Sequence, residues 1–206
     1  MKALVKHLWK THQEEIVAKS FLHCHVRNVH SIMFMDTPEK TIRLYIADLR
    51  NELFYNYPDN YKLKQMTTAF HPHHCDLTLH CIKGNLTSWR VKESEEGLPA
   101  TKYLYHSQIL EGKTQFEKIG ETFLQTLQHH TINEGDIIEL KASDIHTVSS
   151  APDKFTAWFV YEGKDDPEYK SFCWSNKELE NETLEGLYQK PSAMDIERLL
   201  TTCGLL

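Results

Sequence analysis

No apolar run in the 206-residue sequence approaches the ~20 residues that a helical membrane span needs. The start lacks the pattern of a secretory signal: Lys2, Lys6, His7 and Lys10 interrupt the apolar residues, and Gln13-Glu14-Glu15 follow. Cationic excess is missing too. A formal charge of -6 argues against nucleic acid or an anionic membrane as partner, because both reward clustered Lys and Arg. There is no Ser-His-Asp elbow, no phosphate-binding glycine loop and no dinucleotide fingerprint, so those enzyme classes find no support. Internal repeats and low-complexity segments are absent as well. The cysteines number five, Cys24, Cys75, Cys81, Cys173 and Cys203, an odd count without regular spacing. They read as free thiols in a reducing compartment, and the chain as cytoplasmic. Cys75 and Cys81 on one strand would lie ~20 Å apart at ~3.3 Å per residue, far outside disulfide reach.

What is present builds a core. The hydrophobic fraction is 40% and the aromatic fraction 11%, enough for one domain with a helical extension. Residues 1–20 read as a helix, with Leu4, His7, Leu8 and Ile16 at apolar spacing. The segment Phe21–Phe34 contains His23, Cys24, His25 and His30 and reads as a β-like or helical stretch with surface histidines. Asp36-Thr37-Pro38-Glu39 reads as a helix start, with Ile42, Tyr45, Ile46, Leu49 and Leu53 following at helical spacing. From Tyr61 the pattern changes to strands: Tyr61–Thr68, the stretch after Phe70, Asn85–Lys92, Tyr103–Leu110, Lys113–Glu121, Phe123–Ile132, Ile137–Leu140 and Phe155–Tyr161. A short helix over 192–202 is capped by Ser192 and stopped by Gly204. The division is a helical extension over 1–60, a β-barrel over 61–175 and a tail with a short helix over 176–206. The fold class is all-β dominated, with helices covering one face or edge.

The chemistry concentrates in Phe70–Gly84. His71 and His73 lie one residue apart, and alternation on a strand points both to the same side, as two ligands of one ion require. Leu77, Leu79 and Cys81 share their phase, and Gly84 marks a turn or bulge. A third ligand must come from elsewhere, and His146, closing a second strand-and-turn unit, is best placed. Ordinary strand histidines are the competing reading, since the chain has 13 of them. His74, His80, His129 and His130 read as residues without a ligand role. Arg90, after Trp89 on the next strand, is a candidate to clamp a substrate carboxylate. Tyr161, with Tyr103 and Tyr105, is a candidate proton donor.

These residues resemble the cupin superfamily. Its first motif places His-x-His and a glycine at the separations of His71, His73 and Gly84; Gln65 stands at its leading glycine and Leu77 at its glutamate. Its second motif matches in the spacing of Gly135 and His146, with Lys141, Ser143 and Ser150 replacing its Pro, Gly and Asn. The resemblance covers roughly Thr67–Tyr161 and implies a double-stranded β-helix, or jelly-roll barrel, with one divalent metal on His71, His73 and His146. A three-histidine site without the glutamate looks like the thiol dioxygenases, which use Fe(II) and O₂ and carry helices ahead of the barrel. The cysteine that some of them place at the glutamate position is replaced by Leu77. A second resemblance, carried by His71, His73, Asp76, Gly84 and the run Trp158–Lys164, is to small bacterial and phage cupin-like proteins, in which Asp76 would be the acidic ligand.

The resulting expectation is O₂-dependent oxygenase chemistry on a small molecule, with a thiol as candidate substrate and Fe(II) as the first metal, Mn, Ni or Zn being alternatives. A site with no carboxylate is more positive and favours an anionic ligand. Two rivals stand beside it: a non-catalytic ligand-binding cupin with a degenerate or structural metal site, and metal-free isomerase chemistry on a sugar nucleotide. A homodimer is compatible with exposed barrel strands.

Overall fold

The computed structural model describes residues 1–25, 28–48, 70–108, 113–150, 154–164, 166, 168–176, 178–179, 182–183 and 186–206. In chain order these form α1 (Lys2–Lys19), β1 (Val29–Thr37), β2 (Lys40–Asp48), β3 (Leu77–Lys83), β4 (Asn85–Ser94), β5 (Leu98–Gln108) and β6 (Lys113–Asn133). Then follow β7 (Ile137–Leu140), β8 (Ile145–Ser150), β9 (Phe155–Glu162), β10 (Phe172–Ser175), β11 (Glu182–Thr183) and α2 (Ala193–Thr202).

Two antiparallel sheets hold these strands. The first runs β1-β2-β9-β3-β7 and the second β10-β5-β6-β4-β8, with β11 on β6. Phe70 and His71 form isolated bridges to Trp174 of β10 and His146 of β8. From β2 onward the chain alternates between layers: β2 in the first, 70–71 in the second, β3 in the first, β4 and β6 in the second, then β7, β8 and β9 alternately. That alternation is the strand order of a jelly roll, here with β5 and β10 extending the second layer until β10 meets Phe70.

Strand β9 explains the layering. Phe155, Ala157 and Phe159 face one way and Trp158 and Val160 the other, and all five are buried. A strand apolar on both faces must be covered twice. On the outer side Phe155, Ala157 and Phe159 join Leu44 and Ile46 of β2, Val5, Trp9 and Ile16 of α1 and Ile196, Leu199 and Leu200 of α2. Between the sheets Trp158 and Val160 meet Leu77, Leu79 and Cys81 of β3, Leu86 of β4 and Ile132 of β6. A third cluster, Phe70, Val91, Ala100, Leu124 and Trp174, fills the curl of the second sheet.

Several expectations hold. Helix α1, strands β4, β7 and β9 and the Ser192-capped helix occur where the pattern puts them, with a capping box between Ser192 and Asp195, and β5 starts earlier than the expected Tyr103, at Leu98. Others are corrected. The helix expected from Asp36 is a hairpin: β1 and β2 pair with Thr37 opposite Lys40, and the Thr37 hydroxyl accepts from the Lys40 N–H at 3.1 Å. Proline after Thr37 serves a tight turn as readily as a helix start, and Ile42, Leu44 and Ile46 bury at a period of two, on the face toward α1 and α2. Residues 29–48 therefore belong to the first sheet. In α1 the buried face is Val5, Trp9 and Ile16, while Leu4 is exposed. The two strands expected over 113–132 are one, β6. Tyr61–Thr68 lies outside the described residues.

Gly84 holds the β3–β4 turn with φ +73°, and a Cβ there would sit 2.6 Å from the Phe155 carbonyl oxygen. Because that carbonyl belongs to the central strand, it cannot retreat. Gly84→Ala is expected to cost about 1–3 kcal/mol. Urea denaturation checks this, and an unchanged midpoint would contradict the assignment of strain to this turn.

Candidate metal centre

His71 reaches its place through main-chain pairing. Its N–H donates to the His146 carbonyl and its carbonyl accepts from the His146 N–H, both at 3.0 Å. Phe70, one residue earlier, exchanges the same pair of bonds with Trp174 at 3.0 and 2.8 Å. Phe70 is buried in the third cluster, so alternation sends His71 to the opposite side. The chain then crosses to the first sheet, and His73 is anchored on the way by its N–H, donating to the Ala142 carbonyl at 3.1 Å. His71 and His73 thus face one ion site, though not from one strand: β3 begins only at Leu77.

The ligand atoms of His71, His73 and His146 all lie within 4.8 Å of one another. Ring centroids are separated by 4.8 Å for His71–His73, 5.3 Å for His71–His146 and 4.8 Å for His73–His146. The Nε2 atoms of His73 and His146 are 2.7 Å apart. Burial pushes the His73 imidazole down to about 2 and that of His146 to about 3, with the positive charge that His71 would carry as the next cause. Both rings are therefore neutral at pH 7, the state in which imidazole binds a metal. The Nδ1 of His146 is buried and has no hydrogen-bond partner among the described residues. Three imidazoles brought this close fit one divalent ion of the Fe, Zn, Ni or Cu type.

The cluster forms part of the wall of a cavity of about 540 Å³. The sheets contribute Val29, Tyr45, Leu77, Leu79, Trp158, Val160, Tyr105 and Val148, and the two ends of the chain contribute Cys24, His25, Leu187 and Tyr188. The thiols of Cys24 and Cys173 also face it, and burial pushes both up to about 12, so they are protonated and poor nucleophiles.

Three sequence candidates lie elsewhere. Asp76 is exposed, one carboxylate oxygen accepting from Lys141 Nζ at 2.9 Å and the other from the Ala142 N–H at 2.8 Å. These bonds hold its carboxyl below its ordinary range, with Lys141 the larger cause, and keep it out of the histidine cluster. Arg90 pairs directly with His146 in the β4–β8 ladder, but its guanidinium is engaged by the Glu139 carbonyl and by Asp144 at 3.4 Å. It does not line the cavity. Tyr161 falls on the face of β9 that Phe159 occupies, against the outer core and 4.0 Å from the Met1 sulfur, because Trp158 and Val160 take the inner phase. Tyr103 is buried and its hydroxyl accepts from the Leu179 N–H. Of the tyrosines proposed from sequence, Tyr105 is the one on the cavity wall.

The cavity residues missed from sequence are His25, Tyr188, Arg43 and Glu162. His25 belongs to a run read as surface; the surface it exposes is cavity wall, and its Nδ1 lies 2.9 Å from the Tyr188 hydroxyl. His30 is buried, its Nδ1 accepting from the His23 N–H at 3.3 Å. Nothing local in the sequence signals Tyr188.

The depressed histidines set a pH dependence for the metal-free protein. Unfolded histidine titrates near 6.5, whereas His73 and His146 resist protonation down to about 2 and about 3. Between those limits the unfolded chain binds more protons, so stability is full above pH 6.5 and falls as the pH drops below it. The slope is at most about 1.4 kcal/mol per pH unit for each histidine. Denaturation midpoints measured from pH 8 to pH 4 check this; a flat curve would show that the rings are not held neutral. For Asp76 the expected outcome is that Asp76→Asn keeps the metal content of the wild type, measured by elemental analysis.

No family model matches the chain, and no curated protein matches it. The chain is similar to several solved structures. One is the hydroxypropylphosphonic acid epoxidase from S. wedmorenis, at 9% identity and a TM-score of 0.38 over 71% of this chain and 56% of that one. The chain thus spans little more than half of the epoxidase. Another is an RmlC-like cupin protein from Ralstonia eutropha, at 14% identity and a TM-score of 0.35 over 88% of this chain and 78% of that one. A third is an RmlC-like cupin family protein with a double-stranded β-helix fold from Methanocaldococcus jannaschii, at 13% identity and a TM-score of 0.34 over 66% and 79%. The jelly-roll order of this chain stands on its own strand pairing, and its function is argued from its own site.

Proposed function

We propose that the protein binds one divalent metal ion, Fe(II) in the first instance, through His71, His73 and His146, and uses it in the O₂-dependent oxidation of a small molecule, a thiol being the first class to test. The observation that supports this is the convergence of three imidazoles on the wall of a cavity of about 540 Å³. A bound ion would supply a Lewis-acidic, redox-capable centre with positions left for substrate and O₂.

The chain's own contribution is positioning and exclusion. The His71–His146 main-chain pair and the His73–Ala142 bond fix the ligand directions before any ion arrives. Leu77, Leu79, Trp158 and Val160 form an apolar wall that limits water near the reacting groups. Protonated Cys24 and Cys173 leave nucleophilic catalysis without a ready thiolate. One observation favours a second reading, a ligand-binding protein with a resident metal: no carboxylate joins the three histidines among the described residues.

Metal analysis of untagged protein tests the proposal. Wild type is expected to hold close to one equivalent of metal and His146→Ala to lose it. Fe(II)-loaded wild type is then expected to consume O₂ when a thiol is supplied, as read by an oxygen electrode. Retained metal with no O₂ consumption would favour the ligand-binding reading. A wild type that takes up no Fe(II) under anaerobic conditions would sink both.

A further inference from the structure

The charges around the cavity are few and already matched. Among the described lining residues the charged ones are Arg43 and Glu162. They form an ion pair, with Arg43 Nε 3.2 and 3.3 Å from the two Glu162 carboxylate oxygens. A ligand carboxylate would have to compete with Glu162 for the guanidinium, and a ligand ammonium with Arg43 for the carboxylate. Displacing either would leave a partly buried charge uncompensated, which costs more than a new pair returns. A ligand that carries a single charge is therefore poorly matched to this wall.

What the wall does offer is aromatic and aliphatic surface. Tyr45 and Trp158 stack at 5.6 Å with an interplanar angle of 15° and stand with Leu77, Leu79, Val148 and Val160 along the cavity. Among the polar groups on the wall are His25 Nδ1 and the Tyr188 hydroxyl, 2.9 Å apart. Both residues adopt left-handed backbone, φ 67° and 51°. Such conformations cost about 1–3 kcal/mol each and persist where the surroundings over-determine them.

We infer that the cavity takes an apolar-bodied, aromatic small molecule that carries one acidic donor for the histidine cluster and one hydrogen-bonding group for the His25–Tyr188 pair, and that it discriminates against aliphatic ligands bearing a lone carboxylate. The volume of about 540 Å³ accommodates a one- or two-ring compound. The donor end of this inference rests on the metal reading above; the aromatic body and the contact with the His25–Tyr188 pair do not.

Calorimetric titration of metal-free and Co(II)-loaded protein with three probes tests it: thiophenol, 4-mercaptophenol and mercaptoacetate. Thiophenol is expected to bind both forms, the loaded one more tightly, and to exceed mercaptoacetate by about tenfold or more, as an unmatched charge in an apolar site implies. 4-Mercaptophenol should exceed thiophenol by about three- to tenfold, the range of one hydrogen bond. That advantage should vanish in Tyr188→Phe, which keeps the ring and removes the hydroxyl. Trp158→Phe should retain the fold and weaken both aromatic probes.

The outcomes separate the two claims. If no Co(II) is taken up, yet the aromatic probes bind and Tyr188→Phe erases the hydroxyl preference, the ligand class stands and the metal reading fails. If Co(II) is taken up and mercaptoacetate binds as well as thiophenol, the ligand class is overturned and the metal reading stands. Equal binding of thiophenol and 4-mercaptophenol to wild type would overturn the His25–Tyr188 contact.

Discussion

The site depends on four main-chain hydrogen bonds made by two residues. Phe70 and His71 lie between β10 and β8 and bond alternately to each, as a short strand does. Their side chains do opposite things. Phe70 fills the curl of the second sheet, with Trp174, Val91 and Leu124, while His71 faces the cavity. The pairing that closes the curl is therefore the pairing that sets His71 opposite His146. A residue inserted or deleted in this stretch would exchange the two faces. It would lose a buried phenyl ring and a candidate ligand together.

Burial then determines what the cluster can hold. Imidazoles removed from water resist protonation, and two of them are drawn far below the usual histidine range. Neutral rings packed at 4.8–5.3 Å can coexist, where charged ones would repel. The electrostatic cost of assembling the site is thus shifted to low pH. Asp76 is kept away by a different constraint. Its carboxylate ties Lys141 and the Ala142 N–H into the loop before β8, the same loop whose Ala142 carbonyl holds the His73 N–H. It acts on the cluster by fixing that loop, without contributing a ligand.

Much of this was legible in the residues and some was not. His71, His73 and His146 carried spacing that could be read directly, since strand alternation and the two glycine-bounded turns leave few alternatives. For Tyr161 proton donation and packing both stayed open, because β9 is apolar on both faces and periodicity could not say which phase faced inward; α1 and α2 decide that by covering Phe159. The hairpin at Pro38 was misread because Asp-Thr-Pro-Glu serves as helix cap and as tight turn, and Ile42 and Ile46 fit both periods. Arg90 reads as a candidate clamp on the strand after the histidines; its pairing with His146 and its contacts with Glu139 and Asp144 depend on long-range geometry that no local pattern encodes. The His25–Tyr188 pair, formed between residues 163 apart in sequence, is of the same kind.

That pair also gives the terminal helices a role in the site. The segment after α1 and the segment before α2 are stitched together by Leu22 and Gln189, which exchange hydrogen bonds at 2.8 and 3.1 Å, and by the Tyr188 N–H donating to the His23 carbonyl at 3.1 Å. Lys190 adds a bond to the Ala18 carbonyl at the end of α1 and lies 3.8 Å from the centre of the Phe21 ring. His23, His25, Asn28 and Tyr188 all have positive φ, and they cluster at this seam. Strain of that kind needs an external support. The support here is the outer core, where Val5, Trp9 and Ile16 of α1 and Ile196, Leu199 and Leu200 of α2 pack on Leu44, Ile46 and Phe159. Burying those side chains anchors both ends of the chain on the first sheet and holds the strained seam against the cavity. The helices thus act on the site from the far side of a sheet, by fixing the wall that carries His25 and Tyr188.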